Sequence, residues 1–359
     1  ERGGGAATLN HLLDGVPQDD LLAAGETHYF QLAAQPGHGV VKFIATPFEG
    51  RVDMWVRRCA AADGGGRCAA PGRLPSAGNH TWSAAAAPSG EAVTFDRLDA
   101  APTSYLVALE NPGQVAADVA LTGYFEGSVL RLVPGKAVRD HVKEGQTAYY
   151  KVEARAFNST LTVALTAFSG DPDLYASASI AHPNAENFTW VMNTAGDDTL
   201  HIHPDQVECM AAVCTVFVGV YGWEEADYSI VAKFAGTDEV ALRLGQPQTD
   251  AVAEGDYAYY RYRLAADYRL QPDLTLSLTM AYGDADLFAT LDGTEPSYAN
   301  CHYCSESTVG AEALTVRPSE ALYQEHCGDG GDGVAGDGRG CMLRVSVYGY
   351  SAAEYTLLL

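Results

Sequence analysis

The sequence predicts an all-β protein made of three tandem antiparallel β-sandwiches. Three observations predict it. A block of fixed internal spacing occurs three times: Gly15-Val16-Pro17, Asp20 and Gly25-Glu26-Thr27-His28-Tyr29-Phe30; Gly135-Lys136-Ala137, Asp140 and Gly145-Gln146-Thr147-Ala148-Tyr149-Tyr150; and Gly245-Gln246-Pro247, Asp250 and Gly255-Asp256-Tyr257-Ala258-Tyr259-Tyr260. The blocks begin at Gly15, Gly135 and Gly245, 120 and then 110 residues apart, which is the size of a domain rather than of a solenoid repeat. The segments between turn signals alternate apolar and polar residues, and no 11–18-residue window keeps a helical period without Gly or Pro breaking it, so no helix is expected.

Within each repeat the elements follow in order. After the aromatic pair comes an alternating strand: Val41-Lys42-Phe43-Ile44-Ala45-Thr46, Leu161-Thr162-Val163-Ala164-Leu165-Thr166 and Leu274-Thr275-Leu276-Ser277-Leu278-Thr279. A Gly turn opens the next strand: Gly50-Arg51-Val52-Asp53-Met54-Trp55, Gly170-Asp171-Pro172-Asp173-Leu174-Tyr175 and Gly283-Asp284-Ala285-Asp286-Leu287-Phe288. A loop anchored by Pro75, Pro183 and Pro296 follows. Repeats two and three then carry Cys214 to Trp223 and Cys341 to Tyr350 as Val-rich strands, where repeat one has Tyr105 to Glu110. Each repeat closes on one more strand, such as Tyr228 to Phe234. The boundaries fall at 1–126, 127–235 and 236–359, joined by linkers of only a few residues, so the three sandwiches are expected to form a semi-rigid rod.

The chain carries 46 acidic and 22 basic residues, a formal net charge of −24. That charge disfavours nucleic acid and anionic membranes and favours cations, basic partners or neutral glycans. No apolar run is long enough to cross a bilayer. The opening Glu1-Arg2-Gly3-Gly4-Gly5 is read as that of a processed protein or a piece of a longer one, and Tyr355 to Leu359 as a final strand at its edge.

Eight cysteines are placed by the repeat alignment. Cys214 and Cys341 are equivalent, so Cys209–Cys214 and Cys327–Cys341 are the natural pairs. Cys59 and Cys68 staple an insertion, and Cys301 and Cys304 are left. Local disulfides in a secreted protein are the leading reading. The alternatives are a zinc site from Cys301, Cys304, Cys327 and Cys341, whose spacing is poor, and a redox role for Cys301-His302-Tyr303-Cys304, which needs a strand-to-helix setting that is missing. Three N-glycosylation acceptors stand at Asn79, Asn158 and Asn187. Asn79-His80-Thr81-Trp82 and Asn187-Phe188-Thr189-Trp190 fall at the same point of the repeat, where repeat three has Asn300-Cys301-His302-Tyr303 and no acceptor.

Asp171 and Asp173, and Asp284 and Asp286, stand two residues apart on extended segments, so each pair projects to one face. Such pairs are candidate calcium ligands, with backbone carbonyls completing the shell. The favoured reading of the same acids is turn closure and hydrogen bonding to backbone. In repeat one Arg51 replaces the first acid beside Asp53, so any calcium is expected only in repeats two and three. The loop Gly328-Asp329-Gly330-Gly331-Asp332-Gly333 has similar spacing and reads as solvated. His201 and His203 share a strand face without a third ligand nearby in sequence. Tyr257, Tyr259, Tyr260 and Tyr262 put aromatics on both faces of one strand, one facing the core. No hydrolase, phosphate-loop or dinucleotide motif occurs, which points to a non-enzymatic protein.

The ordered motifs resemble the bacterial pre-peptidase C-terminal domain family: Gly-Val-Pro, a Gly before a Tyr/Phe pair, an alternating strand, Gly-Asp-x-Asp-Leu-Tyr and Val-Gly-Val-Tyr-Gly. Gly170 to Tyr175 and Val218 to Gly222 carry most of the pattern, repeat three nearly as much, and repeat one keeps Gly15-Val16-Pro17 but departs at Arg51 and lacks the Tyr-Gly. The resemblance implies a jelly-roll-like sandwich, a non-catalytic extracellular module, and in some members binding of calcium or fibrous ligands. The expected function is a structural or adhesive segment of a larger extracellular protein or surface assembly, glycosylated and disulfide-bonded, with protein or glycan partners. The alternatives are an accessory region of a secreted peptidase and a carbohydrate- or fibre-binding module.

Overall fold

The computed structural model describes residues 8–34, 40–60, 73–84, 91–95, 102–114, 116–154, 158–207, 213–236, 238–264, 272–306, 311–328 and 341–359. The strands fall into three sets of nine. The first is β1 (Leu9–Leu12), β2 (Gln18–Leu22), β3 (Thr27–Ala33), β4 (Val41–Glu49), β5 (Asp53–Ala60), β6 (Trp82–Ala84), β7 (Glu91–Phe95), β8 (Pro102–Glu110) and β9 (Ala117–Phe125). The second is β10 (Val129–Leu132), β11 (Val138–Val142), β12 (Thr147–Ala154), β13 (Leu161–Ser169), β14 (Pro172–Ser177), β15 (Trp190–Met192), β16 (Asp198–Ile202), β17 (Cys214–Gly222) and β18 (Ala226–Phe234). The third is β19 (Glu239–Ala241), β20 (Gln248–Val252), β21 (Tyr257–Arg263), β22 (Leu274–Tyr282), β23 (Ala285–Thr290), β24 (Tyr303–Ser305), β25 (Glu312–Val316), β26 (Met342–Gly349) and β27 (Ala353–Leu358).

Each set makes two facing sheets with the same strand order. One sheet runs β2-β9-β4-β7, β11-β18-β13-β16 or β20-β27-β22-β25. The other contains β3-β8-β5-β6, β12-β17-β14-β15 or β21-β26-β23-β24. Eight strands dealt alternately into two four-stranded sheets in this order are a jelly roll, so the chain is three jelly rolls in series. Two expectations need correction. The sheets are not wholly antiparallel, because β1 lies parallel to β3 and β19 parallel to β21. One helix, α1 (Ala321–Cys327), is present between β25 and β26. At seven residues it is too short to show a period, and it buries only Tyr323 and Cys327, one turn apart on one face.

The chain divides into two compact units, Glu1–Arg131 and Leu132–Leu359. In the first, Phe30, Phe43, Met54, Val107 and Leu121 fill the space between the sheets. The second unit holds two jelly rolls whose boundary is itself packed. Ala137, Ala164 and Val231 belong to the same core cluster as Tyr260, Leu276, Leu287 and Tyr355. Across that boundary the Arg243 guanidinium donates to the Ala137 carbonyl at 2.8 Å, and the Thr249 amide donates to Thr166 Oγ1 at 3.0 Å. The Lys233 ammonium reaches the carboxylate of Asp250, with side chains 7% and 0% exposed.

The repeated Asp of each opening block has a structural task. Asp20, Asp140 and Asp250 each accept the next residue's amide at 2.8–2.9 Å. In the second jelly roll Tyr150 donates to Asp140 at 2.8 Å and shares a 2.7 Å hydroxyl contact with Tyr228. In the third, Tyr260 donates to Asp250 at 2.6 Å and meets Tyr355 at 2.6 Å. Burial pushes the Tyr228, Tyr260 and Tyr355 phenols well above their usual range, so they stay protonated. The first jelly roll has Phe30 and Val119 at these positions, and His28 Nδ1 meets Asp20 at 2.7 Å instead.

Candidate functional site

The sequence-derived acidic pairs lie where β4, β13 and β22 turn into β5, β14 and β23. Each incoming strand slips register against its neighbour just before the turn, between Pro47 and Glu49, Ala167 and Ser169, and Met280 and Tyr282. Such a bulge bends the strand away from its partner. A glycine with positive φ follows: Gly170 at 73° and Gly283 at 81°. A Cβ there would lie 2.1 Å from the Glu225 carbonyl oxygen and 2.2 Å from that of Ala352, so both conformation and space demand glycine.

In the second jelly roll Asp171 and the neighbouring Asp198 are knitted into the backbone. Asp171 Oδ1 accepts the Gly196 amide at 2.9 Å. Asp198 on β16 accepts the Thr194 hydroxyl at 2.7 Å and its amide at 3.0 Å. Asp173 is buried beside them and accepts the Tyr175 hydroxyl at 3.4 Å. Burial, then the charges of Asp198 and Asp171, push the Asp173 carboxyl up to about 6. Asp171 thus has a turn-closing contact of the kind weighed for these residues, whereas Asp173 accepts a side-chain hydroxyl rather than a backbone amide.

The third jelly roll uses the same positions differently. Asp286 on β23 lies opposite Tyr348 on β26, which lies opposite Tyr257 on β21, so the three form one row across three adjacent strands. The rings of Tyr257 and Tyr348 are 4.8 Å apart. Tyr298 stands on the following loop, its amide donating to the Tyr257 hydroxyl at 3.3 Å. Together with Asp284, Glu306 and Tyr350 these residues line a cavity of 450 Å³. Tyr298 and Tyr350 are 63% and 69% exposed, whereas Asp286 is 7% exposed. Burial, then the charges of Asp284, Glu312 and Glu306, push the Asp286 carboxyl up to about 6. The acidic pair was visible in the sequence, but its tyrosine wall was not. Tyr298 and the Tyr348–Tyr350 segment lie far from Tyr257 in the chain, and a loop hydrogen bond and the strand register join them to it.

Among the described residues, no group of three or more His, Cys, Asp or Glu side chains is placed to hold a metal ion. His201 and His203 bind neighbouring threonines, Thr162 at 3.1 Å and Thr160 at 3.2 Å. In the first jelly roll Arg51 is exposed at the turn and Asp53 is half-buried.

A second repeated feature is the loop after the buried prolines Pro75, Pro183 and Pro296. Ser76 and Asn79, Asn184 and Asn187, and Ser297 and Asn300 close the same tight turn by paired backbone hydrogen bonds of 2.8–3.1 Å. The acceptor asparagines Asn158 and Asn187 are exposed, and Asn79 is half-buried with its amide donating to the Leu74 carbonyl at 3.0 Å. The third jelly roll, lacking the acceptor, has a disulfide between Cys301 and Cys304 at this place. Cys327 is bridged to Cys341, with 5.2 Å between their Cα atoms. Those two bridges use all four sulfurs of the zinc alternative and overturn it, and they leave Cys301-His302-Tyr303-Cys304 on a loop and an edge strand. Cys59 and Cys214 are also disulfide-bonded. Cys68, Cys209 and the Gly-Asp stretch from Asp329 onward lie outside the described residues.

No family model matches the chain, and no curated protein matches it. Among solved structures it is similar to one described as "The Triple Jelly Roll Fold and Turret Assembly in an Archaeal Virus", at 10% identity over 96% of this chain and 90% of that one. The TM-score of 0.19 leaves the fold assignment resting on the strand order itself.

Proposed function

We propose that the chain is a non-catalytic, extracellular structural or adhesive segment of a larger assembly, a reading that accords with its resemblance to the pre-peptidase C-terminal domain family. The observation that supports it is the threefold repetition of one nine-strand plan, in which the core is kept and the exposed turns differ. A repeated scaffold with varied loops suits display of contact surfaces in series. The disulfides Cys301–Cys304 and Cys327–Cys341 fit an oxidising compartment. Among the described residues no helix is long and apolar enough to cross a membrane. Immunogold labelling of the native source tests the proposal. Label outside the plasma membrane in ordered assemblies is the expected outcome, and label dispersed in the cytosol contradicts it.

A further inference from the structure

The cavity of the third jelly roll combines two features that are separately ordinary and jointly demand a ligand. Its walls are tyrosine rings, two of them largely exposed although each would gain by burial. Its floor is Asp286, a residue only 7% exposed whose carboxylate borders the cavity. Among the described residues no hydrogen-bond donor or cation meets the side chains of Asp284, Asp286 or Glu306, and the charges reaching Asp286 are those of Asp284, Glu312 and Glu306, all acidic. A carboxylate in this setting, with acidic neighbours and no partner among the described residues, is stabilised by a cation that enters the cavity. We propose that the cavity binds the guanidinium or ammonium group of an arginine or lysine side chain presented by a basic segment of a partner protein.

The shape and chemistry favour an organic cation over a bare metal ion. Calcium needs six to eight oxygen ligands, whereas among the described residues no three acids are placed to hold a metal ion. Tyrosine faces attract cations, and aromatic walls with an acidic floor hold a charged group that also carries apolar surface. The volume of 450 Å³ admits such a side chain with room for its flanking backbone. The net charge of −24 draws basic segments towards the molecule. The second jelly roll keeps only half of the wall: Tyr221 and Trp223 stand where Tyr348 and Tyr350 stand, but Thr147 and Ala185 replace Tyr257 and Tyr298, and Asp171 is occupied by the Gly196 amide. The four-tyrosine wall with a carboxylate free of backbone partners is therefore that of the third jelly roll.

Isothermal titration of the full chain with a short peptide alternating arginine and glycine tests this. The expected result is saturable binding at one site, absent for the same peptide with citrulline in place of arginine, and weakened by added salt. Tyr298→Ala and Asp286→Asn should each weaken it by at least about tenfold. Asp173→Asn, at the equivalent turn of the second jelly roll, should leave it unchanged. Circular dichroism confirms that each variant is folded, and Tyr298, being exposed, carries the test if Asp286→Asn perturbs the fold. Absence of binding, equal binding of the citrulline peptide, unchanged binding in folded Tyr298→Ala, or displacement of the peptide by stoichiometric calcium chloride would each overturn the proposal.

Discussion

Replacing Asp286 by asparagine should make the third jelly roll more stable at neutral pH. The carboxyl is pushed from its usual 3.8 up to about 6 by burial and by the neighbouring acids Asp284, Glu312 and Glu306. A shift of about two units corresponds to about 3 kcal/mol, at about 1.4 kcal/mol per unit. The cavity opens to water on one side and solvent screens the charge, so about 1–2 kcal/mol is expected. The sign follows from proton binding. Between about pH 4 and 6 the folded state holds the proton that the unfolded chain releases, so stability falls as pH rises through that window. Below about pH 4 both states are protonated and the penalty vanishes. Asparagine never ionises, so the variant should gain about 1–2 kcal/mol over the parent near pH 7.5 and match it near pH 3.5. Urea unfolding followed by hydrogen exchange of the β26 amides measures both values locally. An equal difference at the two pH values, or a loss of stability at neutral pH, would refute the electrostatic account. A variant that is more stable yet loses the arginine peptide would show that this acid is kept for binding at a cost in stability.

Other outcomes follow from the same structure. Lys233→Met leaves Asp250 buried with only the Tyr260 hydroxyl and the Ala251 amide, and should cost about 3 kcal/mol in denaturant titrations of the second unit. Tyr150→Phe removes the hydroxyl shared by Asp140 and Tyr228 and should cost about 1–3 kcal/mol in the same assay. Replacing both Cys327 and Cys341 by serine opens a loop with sequence separation 14 and should cost about 3 kcal/mol, read as a lowered midpoint in the absence of reductant. Glycopeptide mass spectrometry of protein from its native source should find Asn187 occupied, since it is exposed on a tight turn, and Asn300 unmodified.

The parts of the fold legible in the sequence are those written locally. Alternation in Leu161 to Thr166 gave the strand, and Gly170 gave the turn that only glycine can make. The recurring Asp20, Asp140 and Asp250 revealed the repeat, yet the bond of Asp140 and Asp250 to a buried tyrosine hydroxyl needed the sheet register. The parallel pairing of β1 with β3 was missed because a four-residue strand carries no signal of its direction. α1 was missed because seven residues give no period. The candidate site divides in the same way. Asp284 and Asp286 stand two residues apart and could be read directly. Tyr298, Tyr348 and Tyr350 reach them from the chain's other segments, through a loop hydrogen bond and the pairing of β21, β26 and β23, which the sequence does not state.

Non-reducing peptide mapping of the protein from its native source is the most direct test of the central claim, a repeated jelly-roll segment matured in an oxidising extracellular setting. The account predicts cross-linked peptides joining Cys301 to Cys304 and Cys327 to Cys341, with no alkylatable thiol at these positions before reduction. Free thiols at all four would contradict both the folded geometry of the third jelly roll and the compartment proposed for it.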